Sequence, residues 1–146
     1  MKINKFISIG SDHAGYDLKE EIVHYLKNNN YHVYDKGTFS NESTDYPEYG
    51  HKVGHSIVDG EANKGIVICG SGIGISIAAN KIKGIRAALC FSKKHAKMSR
   101  LHNDSNVLAL GSRMEGADNS LEIVRVWLNT DFEGGRHENR IKKIEI

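Results

Sequence analysis

Two short segments concentrate the side chains that could do chemistry. One reads Gly10-Ser11-Asp12-His13-Ala14-Gly15, the other Cys69-Gly70-Ser71-Gly72-Ile73-Gly74, and each directly follows a short apolar run. In the second, glycines at alternate positions separate that run from a stretch rich in Ala and Ile, so backbone amides can approach an anion at the positive end of a helix. An oxyanion or phosphate site is implied. A thiol at a helix N-terminus has its ionised form stabilised, which makes Cys69 a candidate base or nucleophile. On its own a strand-end cysteine is more often simply packed, but an acid delivered to the same cleft, Asp12, favours the chemical role. Cys90 has no acid, base or glycine nest beside it and reads as structural.

Other readings of the glycine nest fail on spacing. A dinucleotide site needs an acidic residue near the end of the next strand, where this chain has Cys90, Phe91, Ser92 and Lys93. A P-loop needs Lys followed by Ser or Thr, and none comes after Gly74. Arg136 and Arg140 lie four apart behind Gly134 and Gly135; on one helix face their guanidinium forks suit a phosphate monoester, although a solvated basic tail has the same spacing. His51 and His55 are also four apart, but without a third ligand they read as surface or interface residues, and no metal site is expected. His24, His32 and His95 carry no constellation.

The elements that position these residues follow from composition and periodicity. The chain has 146 residues, 20 Lys plus Arg against 18 Asp plus Glu, a net charge of +2 and no tail of one sign, which disfavours nucleic acid as a partner. No apolar run is long enough to span a membrane, and Phe6, Ile7 and Ile9 meet Asp12 too soon for a signal-peptide core. Two cysteines are too few for a disulfide framework, and a reducing cytoplasm is expected. Apolar runs at Phe6 to Ile9, His32 to Tyr34, Ile66 to Cys69, Ala87 to Phe91 and Val107 to Leu110 predict strands. Leu18, Ile22, Val23 and Leu26, and later Leu121, Ile123, Val124, Trp127 and Leu128, recur at helical spacing. This alternation predicts an α/β fold: one domain over residues 1–146, a doubly wound, Rossmann- or flavodoxin-like parallel sheet of five strands in the order 2-1-3-4-5, with a C-terminal helical arm over Glu138 to Ile146. Ligands then bind where the strand order reverses, between strands one and three, and Asp12 and Cys69 face one cleft. The irregular stretch Gly37 to Pro47, with Thr44, Asp45 and Tyr46, reads as a binding loop beside it.

His102 and Asn103 do not fit that cleft. They end a helix running from about Ser92, at the sheet edge opposite Cys69, and ~1.5 Å of rise per residue puts them more than ~15 Å away. If His102 belongs to the active site it comes from a neighbouring subunit, and a symmetric dimer with two shared sites is the simplest arrangement.

Four motifs in order along essentially the whole chain carry a family resemblance. They are Ser11-Asp12-His13-Ala14-Gly15, the Cys69 to Gly74 nest, His102-Asn103-Asp104 followed by Asn106-Val107-Leu108-Ala109-Leu110-Gly111, and Gly135-Arg136-His137. Together they resemble the B-type ribose-5-phosphate isomerases, in the family shared with the galactose-6-phosphate isomerase subunits. The resemblance implies reversible conversion of ribose 5-phosphate and ribulose 5-phosphate without metal or organic cofactor, in a homodimer or a tetramer built from dimers. It makes Cys69 the base that moves a proton between C1 and C2, with the amides of Gly70, Gly72 and Gly74 stabilising the enediolate. Asp12 binds sugar hydroxyls and shuttles protons, His102 opens the furanose ring, and Asn103 assists at the oxyanion. Phosphate contacts fall on His13, Arg113, Arg136 and Arg140, while Tyr46 lines the sugar site. Ser71 stands where many members carry Thr, keeping the hydroxyl and losing a methyl. A branch of the family that uses a Glu in the following helix is excluded, because that helix begins Ile73-Gly74-Ile75.

Two alternatives remain. A hexose phosphate, galactose 6-phosphate or allose 6-phosphate, requires the same proton transfer in a deeper pocket. A non-catalytic nucleotide-binding module could use the same sheet, but has no need to combine Cys69, Asp12 and His102.

Overall fold

The computed structural model describes residues 5–146. Five strands, β1 (Phe6–Ser11), β2 (His32–Asp35), β3 (Lys64–Cys69), β4 (Ala87–Leu89) and β5 (Val107–Gly111), form one sheet in which every pairing is parallel. Six helices, α1 (Tyr16–Asn28), α2 (Tyr46–Val58), α3 (Ile73–Asn80), α4 (Lys93–Asn103), α5 (Ser120–Leu128) and α6 (Arg136–Lys142), connect and flank it. The expected α/β architecture is therefore present, and α6 is the helical part of the expected C-terminal arm.

The strand order is 2-1-3-5-4, which corrects the sequential order predicted at the far edge. All five residues of β5 are buried, whereas the three of β4 are only half-buried. The strand with apolar side chains on both faces takes the interior position, and the short strand takes the edge, where one side needs no partner. β4 also stops at Leu89 rather than Phe91. The exchange brings the end of β5 against the end of β3, with Cys69 in register with Gly111.

Alternation along the strands divides the core in two. Ile7, Ile9, Ile66, Ile68, Leu108 and Leu110 pack with α1, α4 and α5, centred on the fully buried Trp127. Val67, Cys69, Val107 and Ala109 face the other way, against Val53 of α2 and Ile75 and Ala79 of α3. Cys90 belongs to the first core and Cys69 to the second, so the sheet lies between the two thiols, and both are free.

Local signals set the helix ends. Asn30 adopts φ +66° just after α1, the left-handed conformation that Asn tolerates at a helix end. Pro47 occupies the first turn of α2, and the Ser92 hydroxyl caps α4 by accepting from His95 N–H at 3.2 Å. Among the described residues no helix is long and apolar enough to cross a membrane.

Candidate active site

Parallel pairing aligns the ends of β1 and β3, so the chain segments leaving them emerge side by side. Asp12 N–H donates to Ile68 O at 3.2 Å, and Asp12 Oδ1 accepts from Gly15 N–H at 3.1 Å, which holds the buried carboxylate at the mouth of the sheet. Gly15 permits this tight turn, because a Cβ there would lie 2.7 Å from the Ile68 side chain.

Across the mouth, Gly72 N–H donates to Cys69 Sγ at 3.2 Å. Gly72 has φ +78°, and a Cβ would fall 2.6 Å from Leu89 and 2.8 Å from the Leu110 backbone, so glycine is what lets the chain turn its amide onto the sulfur. The turn opens directly into α3, whose positive end adds to that donor. An amide and the first turn of a helix thus meet at one sulfur. Ser71 Oγ accepts from Ile73 N–H at 3.1 Å, which seats the hydroxyl over the first turn of α3.

The walls come from three further segments. The Tyr46 ring lies against Gly74, where a Cβ would sit 2.6 Å from it. Arg113 is tied to the nest by its N–H, which donates to Gly70 O at 2.9 Å, and its side chain lies along Gly70. Ser112 Oγ reaches across to Ala14 O at 2.7 Å, locking the β5 exit to the β1 exit. His13 pairs with Thr44 twice: His13 N–H donates to Thr44 Oγ1, and Thr44 N–H donates to His13 Nδ1, each at 3.1 Å. With Nδ1 accepting, the neutral ring carries its proton on Nε2, available to an anion. Asp12, His13, Tyr46, Cys69, Gly70, Ser71, Gly72, Gly74 and Arg113 thus belong to one end of the sheet.

His102, Asn103, Arg136 and Arg140 do not. His102 and Asn103 close α4 at the opposite end, before β5 begins, and share an open pocket of about 380 Å³ with His137, Arg140, Ile141 and Ile144. Arg86 braces this corner by donating to the carbonyls of Asn103 (2.9 Å) and Asp104 (2.8 Å), while the buried Arg100 holds the Asp104 carboxylate at 2.8 Å. Arg136 and Arg140 are exposed on α6, on one helix as their spacing predicts. The four motifs therefore fall into two groups at opposite ends of the sheet.

Three contributors escaped the sequence reading. Thr44 orients His13, and Lys19, fully buried, places Nζ 2.7 Å from Asp35 Oδ2 and anchors the loop that carries Thr44, since Asp35 Oδ1 also accepts from Gly37 N–H at 3.0 Å. Glu133 approaches His102 and His137 at 4.0 and 3.9 Å. Of these, only the four-residue interval between Glu133 and His137 is a local signal. His51 and His55 lie exposed on α2 as read from spacing. Burial pushes the Cys90 thiol up to about 11, in keeping with a packed residue.

A family model described as Ribose/Galactose Isomerase matches residues 7–144. Ribose-5-phosphate isomerase B of Escherichia coli (strain K12) is 51% identical over 140 residues, covering 96% of this chain and 94% of that protein. Among solved structures, ribose-5-phosphate isomerase B of Clostridium thermocellum matches with a TM-score of 0.93 at 57% identity, over 95% of this chain and 94% of that one. The type B ribose 5-phosphate isomerase of Trypanosoma brucei matches with a TM-score of 0.92 at 44% identity, over 97% of each. A Rossmann-like parallel sheet carrying a thiol beneath amide donors is, in this company, the framework of an isomerase. The chain belongs to the ribose/galactose isomerase family.

Proposed function

We propose that this chain interconverts ribose 5-phosphate and ribulose 5-phosphate, with Cys69 as the base. The observation that carries the reading is the Gly72 amide 3.2 Å from Cys69 Sγ, across the mouth from the buried Asp12. In the aldose direction the Cys69 thiolate takes the proton from C2 of the open-chain sugar, and the electron pair moves through C1 onto the carbonyl oxygen, giving the enediolate. The thiol then returns the proton to C1 while Asp12 moves a proton between the two oxygens, and the second carbonyl forms at C2. Amides of Gly70 and Gly74, with the Ser71 hydroxyl, are the donors for the developing charge, while the Gly72 amide stays on the sulfur; one such donor is worth roughly 3 kcal/mol of barrier. No step in this scheme calls on a metal or an organic cofactor.

Ring opening, phosphate binding and assembly form one connected proposal. His102 and Asn103, too distant from Cys69 in one chain, serve the pocket of a second copy in a homodimer or a dimer-of-dimers tetramer, where Arg136 and Arg140 join His13 and Arg113 on the phosphate. Apolar surface left exposed around the nest, at Ile73, Ile77, Phe91 and Met114, supports a protein partner at that rim. Two unpaired thiols are in keeping with a cytoplasmic location.

A chelated assay with ribose 5-phosphate and galactose 6-phosphate side by side tests the reading. Turnover of the pentose, falling by ~10²–10⁴-fold in Cys69→Ala with binding retained, is expected. Preference for the hexose would move the assignment to the second reading, which the family description itself spans.

A further inference from the structure

The group around His102 contains a ligand set that the proton-transfer scheme does not use. His102, in the last turn of α4, stacks on His137 with ring centroids 4.4 Å apart and planes inclined by 17°. Glu133 lies against both, its Oε1 4.0 Å from His102 Nε2 and 3.9 Å from His137 Nε2, separations too long for hydrogen bonds. One ligand atom from each residue lies within 4.8 Å of the other two. His137 is 4% exposed, and its buried Nε2 has no hydrogen-bond partner, an arrangement that normally has a specific cause.

Two imidazoles and a carboxylate around one point are the donor set of a three-coordinate protein site for zinc-like ions. With metal–ligand bonds of about 2.0–2.1 Å, tetrahedral geometry sets ligand atoms roughly 3.4 Å apart. The three atoms meet on one ion only if one ring turns out of the stack, because imidazole lone pairs lie in the ring planes and these planes are nearly parallel. The movement can come from His102 and Glu133, whose side chains are partly exposed and free to turn toward the fixed His137. Glu133 is held in place by its N–H, which donates to Leu101 O at 3.1 Å. Arg136 and Arg140 oppose a cation here; on the single chain both are exposed and screened by solvent, and in the proposed assembly the substrate phosphate pairs with them.

The geometry points to a divalent transition-metal site, of the Zn²⁺ class, formed by His102 Nε2, Glu133 Oε1 and His137 Nε2 with a fourth position open. Its consequence rests on the ring-opening role proposed for His102: an ion on that nitrogen withdraws it from the sugar, so the metal acts as a reversible inhibitor rather than a cofactor.

Binding is read first, on a full-length Cys69→Ser chain so that the thiol supplies no ligand. Titration with Co²⁺ gives a visible absorption band that saturates at one ion per chain, and Glu133→Gln or His137→Asn added to that background weakens it at least tenfold. An unchanged titration in folded Glu133→Gln protein overturns the site. Inhibition is read second, on chains that keep Cys69. Zn²⁺ inhibits the aldose reaction, a chelator reverses it, and Glu133→Gln raises the inhibiting concentration at least tenfold. Co²⁺ binding that responds to the variants, without inhibition by Zn²⁺, leaves the site standing and overturns the role given to His102.

Discussion

Cys69 and His102 stand at opposite ends of the same sheet. Cys69 pairs in register with Gly111 at the finish of β5, whereas His102 closes the helix that precedes the start of β5 at Val107. At roughly 3.3 Å per residue, the four steps between those ends of β5 amount to about 13 Å, well beyond any side-chain contact. If both serve one reaction, each site takes one of them from each of two subunits. Mixing inactive Cys69→Ala and His102→Ala chains, with exchange verified, then restores about a quarter of wild-type activity, because half of the random dimers carry one intact site of two. Absence of recovery places His102 outside the site that holds Cys69.

Gly72 joins backbone conformation to chemistry more directly than any other residue in the nest. Its φ of +78° and its contacts with Leu89 and Leu110 leave no room for a Cβ, and its amide is the one that reaches Cys69 Sγ. Gly72→Ala should cost about 1–3 kcal/mol of stability from strain and overpacking, read as a lower denaturant midpoint. Turnover should fall further than the remaining folded fraction explains, since the donor moves with the turn. A variant that is less stable yet fully active per folded molecule would separate the amide from catalysis.

Local sequence carried the features that depend on local forces. The continuous apolar runs of β3 and β5, the period of α1 and α5 and the alternate glycines of the nest each reflect burial or φ at the residues themselves. What it did not carry depends on partners far along the chain. The order of β4 and β5 turns on which strand is apolar on both faces of the assembled sheet, and Cys90 and Phe91 looked like strand although the chain has already left it. Lys19 carries no local sign of its burial, which depends on Asp35, sixteen positions on. Glu133 and His102 meet only because α6 folds back onto α4, which no spacing between them announces.

The two thiols should separate by reactivity as the sheet separates them in space. Cys90 is 2% exposed in the core formed with α4 and α5, and its ionisation is pushed up to about 11 by burial, so little thiolate exists near neutrality. Cys69, 4% exposed, ends β3 at the glycine nest rather than inside that core, and it has an amide aimed at it. Limited treatment with iodoacetamide at pH 8, followed by peptide mass spectrometry, should find Cys69 carboxamidomethylated first, in step with loss of activity, and protected by ribose 5-phosphate. Early modification of Cys90 would contradict the assignment of these two roles.

Lys64 gives a prediction about stability that is independent of catalysis. It begins β3, its Nζ lies 5.7 Å from the centre of the Trp127 ring, and burial, aided by Arg100, lowers its pKa from 10.5 to about 8 against the opposing pull of Asp131 and Asp104. Between about pH 8 and 10.5 the unfolded chain holds a proton on this amine that the folded chain has released, so raising the pH through that window favours folding. Below pH 8 both states are protonated and that advantage is gone. Lys64→Met removes the dependence while keeping most of the packing volume over Trp127. Urea midpoints of the two proteins at pH 7 and pH 9.5 should therefore show the variant gaining most on wild type at pH 7, with the gap shrinking as the wild-type amine discharges. Effects of Cys90, which oppose stability above pH 9, are common to both proteins and cancel in the comparison. A gap that widens with pH would mean that Lys64 is held as a cation by Asp131 and Asp104 more strongly than burial discharges it.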